Sequence, residues 1–220
     1  MKKLLIAFSF TALLTGCLGP KKVNKWVNTH YGENSAPKMK NDYLSVTSGL
    51  AANDPKASVT TRQTKNFLPL LFYWQYDYIN TCTLNPSIPI HAFSTAVLQY
   101  AGTKGLKQKL NGRKIELVID SIPNVFVLND KGHLVWVIYA FGWDDLSFKP
   151  DTKEMIVSYK ITQDNTEIKT GLITIPNTDK QLDVRYMQSL KKAADQYLDQ
   201  YDENIKSLSR KVVDKIIAEL

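Results

Sequence analysis

Cysteine is almost absent from this chain: two in 220 residues, Cys17 and Cys82. So few thiols exclude the disulfide framework of a small secreted scaffold, and the core must hold itself together by packing. Histidine is scarce as well. His30, His91 and His133 stand far apart, without the HExxH or Cys–His spacing that gathers ligands around a metal, so no metal or cofactor is expected. The patterns GxSxG, GxGxxG and the Walker type do not occur, which removes the commonest hydrolase and nucleotide-binding readings. Asp144 and Asp145 are adjacent, so on a strand they point to opposite faces and cannot form a facing carboxylate pair. The expectation is a protein that is not an enzyme.

Long apolar runs are lacking too. Residues 4–14 form an almost unbroken apolar stretch of eleven, against the ~20 needed to span a hydrocarbon core. Lys2 and Lys3 precede it and Leu14, Thr15, Gly16 and Cys17 follow it, the layout of a secretory signal. The four closing residues resemble the lipobox of bacterial lipoproteins. That resemblance implies that residues 1–16 are a signal peptide, and that the Cys17 sulfur carries a diacylglyceryl group and becomes the first mature residue. Two or three acyl chains on one cysteine anchor stably, where a single chain holds only marginally. With Cys17 acylated, Cys82 is left alone and no disulfide can form within the chain.

Removing residues 1–16 takes away two lysines and no acid, so the formal charge falls from +7 to +5 over 204 residues. That length suits one domain. The weak basic excess fits an anionic membrane surface, and the export signal argues against a nucleic-acid partner. Leu18, rather than Asp, follows the cysteine. By resemblance to the sorting rule of enteric bacteria, this implies the outer membrane. Lys21 and Lys22 stand where surface-exported lipoproteins carry acids, which implies a domain facing the periplasm.

Residues 17–41 read as the lipidated N-terminus, a short helix and a tether. Val23, Trp26, Val27, His30 and Tyr31 share one helical face that Gly32 can end. Two packings are open to it: on the membrane, with Lys21, Lys22, Lys25 and Trp26 at the lipid surface, or against the domain. Residues 42–220 read as a single α+β domain, a mostly antiparallel sheet with a mid-chain helix and a long C-terminal helix packed on one face. Short strands are expected at 42–48 and 56–64. Phe93, Ala96, Val97 and Tyr100 give a helix beginning near Ser87 its stripe, which Gly102 and Gly105 weaken. Ile115, Leu117 and Ile119 alternate as a half-buried strand. Asn129, Asp130, Lys131 and Gly132 read as a hairpin turn. Residues 133–143, apolar on both faces, read as one central strand. Two more strands flank a turn at Asp164, Asn165 and Thr166. A helix from about 183 to 220, roughly 50 Å long if unbroken, closes the chain, with residues 201–204 as its expected bend.

Residues 67–78 are the most unusual stretch. On a strand, Phe72, Trp74, Tyr76 and Tyr78 share one face, and Tyr73, Gln75 and Asp77 the other. This ladder reads as a core face with hydroxyls at the rim, or as a groove for an acyl chain or glycan. With Trp136 and Trp143 it forms the candidate ligand or partner surface. Cys82 lies nine residues before His91; a Cys–His nucleophile is conceivable, but a lone buried or loop cysteine is the plainer reading.

The order strand, helix, three or four antiparallel strands and a long final helix, behind Leu14, Thr15, Gly16 and Cys17, resembles two groups of envelope lipoproteins. One comprises the auxiliary lipoproteins of ABC-type lipid transport systems; the other is the lipoprotein that plugs the lipopolysaccharide-assembly barrel. The Lys- and Asn-rich composition is similar to uncharacterised lipoproteins of Bacteroidetes. The resemblance implies a non-catalytic accessory of a transport or assembly system, held to the membrane by Cys17 and bound to an envelope protein. The alternatives are a lipid- or glycan-binding lipoprotein and a hydrolase using Cys82.

Overall fold

The computed structural model describes residues 18–32, 41–50, 57–136 and 139–220. Residues 1–17, where the signal peptide and acylated Cys17 are expected, residues 33–40 of the expected tether, residues 51–56, and Val137 and Ile138 lie outside the described residues. Helix α1, Pro20–Tyr31, starts on a proline whose missing N–H costs nothing in a first turn, and it ends on Gly32 at φ +60°. Val23, Trp26 and Val27 are buried, Trp26 being only 6 % exposed, and the helix packs on the strands Val59–Pro69 and Tyr73–Thr83 and on the C-terminal helix. Of the two packings open to this segment, the structure shows the one against the domain. Trp26 is therefore not a membrane-facing residue here, while Lys21, Lys22 and Lys25 remain exposed.

The chain is α+β, with two sheets where one was expected. The smaller contains β1 (Leu44–Ser48), β4 (Lys114–Ser121), β7 (Met155–Gln163) and β8 (Thr166–Ile175), in that order, antiparallel except for the parallel pair β1–β4. The larger is wholly antiparallel, in the order β2 (Val59–Pro69), β3 (Tyr73–Thr83), β5 (Val125–Trp136), β6 (Ala140–Pro150) and β9 (Leu182–Asp183). The chain changes sheets at Ile122, Pro123 and Asn124, all buried. Proline cannot continue a ladder, so the break falls where the sheets part. Tyr201 donates its hydroxyl to the Pro123 carbonyl at 2.6 Å, and burial raises that hydroxyl well above the usual tyrosine pKa, keeping it a donor.

Two expectations change at the hairpins. Residues 129–132 are not a turn but the middle of β5, because residues 125–135 pair without interruption against β3 and 126–136 against β6. A local turn signal loses to two continuous ladders. Instead β5 ends at Trp136 and β6 begins at Ala140, and these two residues are cross-strand partners, so residues 133–136 and 140–143 are the ends of two paired strands rather than parts of one central strand. Residues 67–78 likewise divide into the end of β2, a turn at Leu70–Tyr73 closed by the Leu70 N–H to the Tyr73 carbonyl at 2.8 Å, and the start of β3. Asn80 and Cys82 lie near the end of β3, so Cys82 is a strand residue and not a loop cysteine.

Helix α2, Ser87–Thr103, is separated from the short α3, Leu106–Leu110, at Gly105, whose φ of +65° fits glycine best. The last helix, α4, begins at Leu190, not near 183, and runs to Glu219 as thirty continuous residues, about 45 Å. Residues 201–204 lie inside it. It packs beside α2 and links the sheets. Near its start Tyr197 stacks on Phe148 and meets Phe126 of the larger sheet, ring centroids 5.2 Å apart in each case. At its end Glu219 accepts from Tyr159 and pairs with Lys169 of the smaller sheet.

Candidate functional site

One end of the larger sheet carries an unusual concentration of exposed apolar side chains. Strand pairing brings the β2–β3 and β5–β6 turns side by side: Tyr73 lies opposite Val135 and Phe141 opposite Val135 on its other edge, and the Trp136 N–H donates to the Phe72 carbonyl at 2.8 Å. Leu71 is 83 % exposed and Tyr139 74 %. Phe67, Leu70, Phe72 and Phe141 are each more than half exposed, and Trp143 stands at 52 %. Of the residues singled out in the sequence, Phe72 and Trp143 thus lie in the open. Trp74, Tyr76, Tyr78 and Trp136 are half-buried, so the aromatic ladder is not a fully packed core face.

Behind the turns sits a layer of polar-tipped rings on the outer face. Tyr73 Oη lies 2.7 Å from His133 Nδ1 and donates to Gln75 at 3.3 Å, and the His133 ring stacks on Trp143 with centroids 5.0 Å apart. On this face charge begins two residues further back, where Asp77, Lys131 and Asp145 are cross-strand neighbours; Lys131 Nζ is 3.9 Å from the Asp77 carboxylate.

Between these layers, on the inner face, Tyr76 crosses Gly132 to donate to Asp144 Oδ1 at 2.6 Å. A Cβ on Gly132 would overlap the end of the Tyr76 ring and approach Asp144. The smaller sheet repeats the device, with Tyr159 crossing Gly171 to reach Glu219. Aromatic cover of a facing strand glycine is a known way to hold register. Gly132→Ala is therefore expected to displace Tyr76, break its bond to Asp144 and cost about 1–2 kcal/mol, read as a lower urea midpoint with an unchanged slope.

Deeper on the same face lies a buried polar group. Arg62 Nε donates to Asn80 Oδ1 at 3.1 Å and its guanidinium stacks 4.5 Å from the Tyr78 ring. Asp130, paired across the ladder with Tyr78, is 5 % exposed. Burial first, then the Asp144 charge, pushes its carboxyl up to about 6, against the opposing pull of Arg62.

The remaining candidates do not converge on this end. Cys82 is buried, and burial pushes its thiol up to about 11, so it is a protonated core residue at neutral pH and a poor nucleophile. His91 opens instead onto a groove of about 450 Å³ between α2 and α4, lined also by Tyr31, Tyr100, Lys206 and Arg210. His30, on α1, faces a row of acids on α4, 3.7 Å from Asp195 and from Asp199 and 4.0 Å from Asp202. Among the described residues no group of three or more His, Cys, Asp or Glu side chains could hold a metal ion, and no helix is long and apolar enough to cross a membrane.

Leu70, Leu71, Tyr139 and Phe141 were not singled out in the sequence. Their signal was present as missing charge: residues 66–76 and residues 132–143 contain no Asp, Glu, Lys or Arg, and Pro69 breaks the first of these runs. Compared with known family models, curated proteins and solved structures, the chain matches none.

Proposed function

We propose that this chain is a lipid-anchored protein of the bacterial envelope and a non-catalytic binding component of a transport or assembly system. It engages a hydrophobic target through the exposed end of the larger sheet. In this reading residues 1–16 are removed, Cys17 carries the acyl chains, and the domain hangs from the outer membrane into the periplasm. The single observation that supports it best is the pair of adjacent turns with Leu71 and Tyr139 at their tips. Exposed apolar clusters are costly for a soluble surface and mark sites of contact.

Two measurements test it. Mass spectrometry of the protein extracted from its membranes is expected to find a diacylglyceryl adduct on Cys17, and Cys17→Ser is expected to abolish both the adduct and cleavage. A mature protein with a free Cys17 thiol would overturn the anchor. A photoreactive side chain at position 71 is expected to give a discrete product in intact envelopes, whereas one at position 149, at the other end of β6, gives none. Equal labelling from both positions would overturn the choice of surface.

A further inference from the structure

We infer that the end of the larger sheet enters a lipid bilayer to interfacial depth, an inference that rests on the proposed hydrophobic target and names it as lipid. Its exposed side chains lie on both faces of the sheet as well as at its tip. Phe67 points to the inner face, Leu68 and Trp143 to the outer, and Leu71 stands beyond both. A protein partner seated on one side would leave the other side wet. Immersion covers both.

Chemistry is ordered by depth along the strands. Leu71 and Phe72 come first; the row of Gln75, His133 and Trp143 follows three residues behind Phe72, about 10 Å at ~3.3 Å per residue. Asp144 comes one residue behind that row on the inner face, and Asp77, Lys131 and Asp145 two residues behind it on the outer. Apolar residues, then aromatic rings with polar tips, then charge is the sequence met on crossing from acyl chains through headgroups to water. The depth of the charge-free zone suits an element that settles about 5–10 Å into the headgroup–acyl boundary.

In the β2–β3 turn three backbone bonds are made within the protein. Leu70 and Tyr73 exchange N–H to carbonyl bonds at 2.8 and 3.4 Å, and the Phe72 carbonyl is taken by Trp136. Such internal pairing is what a low-dielectric medium demands. The outer edges of β2 and β6 set the limit of entry. β9 and Val184 after it cover β6 only from Leu146 to Phe148, so full insertion would strand edge groups, and only the turns reach the acyl chains. Charge agrees with this: with no Lys or Arg ahead of the aromatic row, the tip answers to hydrocarbon and not to anionic headgroups.

The experiment places a single environment-sensitive dye at Leu71→Cys in the full chain, purified from its membrane and reconstituted into neutral phosphatidylcholine vesicles. Buried Cys82 does not compete for the label. The dye is expected to shift to the blue, and to lose emission to nitroxide-bearing acyl chains placed either in the host vesicles or in a second vesicle population. Added salt should not reverse this. Phe72→Asp, at an exposed turn position, is expected to abolish the shift while leaving the unfolding transition in place, and a dye at Lys149→Cys should report water throughout. Emission at position 71 that ignores lipid, or is shielded without nitroxide quenching, would overturn the proposal, the second result assigning the tip to protein. Labelling of the parent chain at Cys17 would report a failed anchor separately, and the signal at position 71 is then read with Cys17→Ser added, so that the dye stays single.

Discussion

Phe126→Ala is expected to destabilise the protein by about 3–5 kcal/mol, the cost of emptying a buried aromatic site. Phe126 is 2 % exposed and sits where the larger sheet meets α4. Its ring lies 5.2 Å from Tyr197 and 6.1 Å from Phe148, and the latter two rings stack on each other. The three rings come from three elements, so no single side chain can rotate to fill the hole without giving up a contact to another. Removal should lower the urea midpoint strongly and raise amide exchange in β5 and β6 first. Phe67→Ala, the same change on an exposed ring, should move the midpoint by less than about 0.5 kcal/mol. A similar loss at both positions would mean that the exposed end is packed in solution, against the surface described above.

Asp130→Asn is expected to stabilise the protein at neutral pH. The Asp130 carboxyl is pushed up to about 6 from the ordinary aspartate range, chiefly by burial and then by Asp144, with Asp77 adding a little and Arg62 opposing. The folded state thus binds this proton more tightly than the unfolded chain does. Between about pH 4 and 6 the unfolded state ionises while the folded state resists, so stability falls as pH rises through that window and levels off above it. At pH 7.5 the full penalty applies, on the order of 2–3 kcal/mol for a shift of this size. An amide keeps the shape without the charge. The variant should gain about that amount at pH 7.5, about a third of it at pH 4.5, and lose the fall in between. Urea unfolding at the two values checks this, and an equal gain at both would show that the cost at this position is not one of ionisation.

Element type was legible wherever one local pattern ran uninterrupted. Ile115, Leu117 and Ile119 alternate with Lys114, Glu116 and Asp120, and β4 follows with its apolar side buried. The i, i+3, i+4 spacing of Val23, Trp26 and Val27 made α1, and Gly105 divided α2 from α3. The aromatic side of the candidate site was also visible, since Trp136 and Trp143 fall on opposite faces as the alternation requires. Less legible were the turns. The signal at residues 129–132 is genuine turn chemistry, yet Gly132 serves there as the gap that Tyr76 crosses. A glycine demanded by a turn and one demanded by a neighbour's ring look alike until the neighbour is known.

The sequence by itself therefore determined the α+β class, the helix and strand faces and the two charge-free runs, because these depend on side chains a few positions apart. Only the tertiary structure decided that each run folds back on itself, that the two turns lie side by side at one end of a sheet, and that α1 spends its tryptophan inside the domain. Each of these depends on which ladder outcompetes which turn and on what surface stands nearby, and both are settled by contacts far apart along the chain.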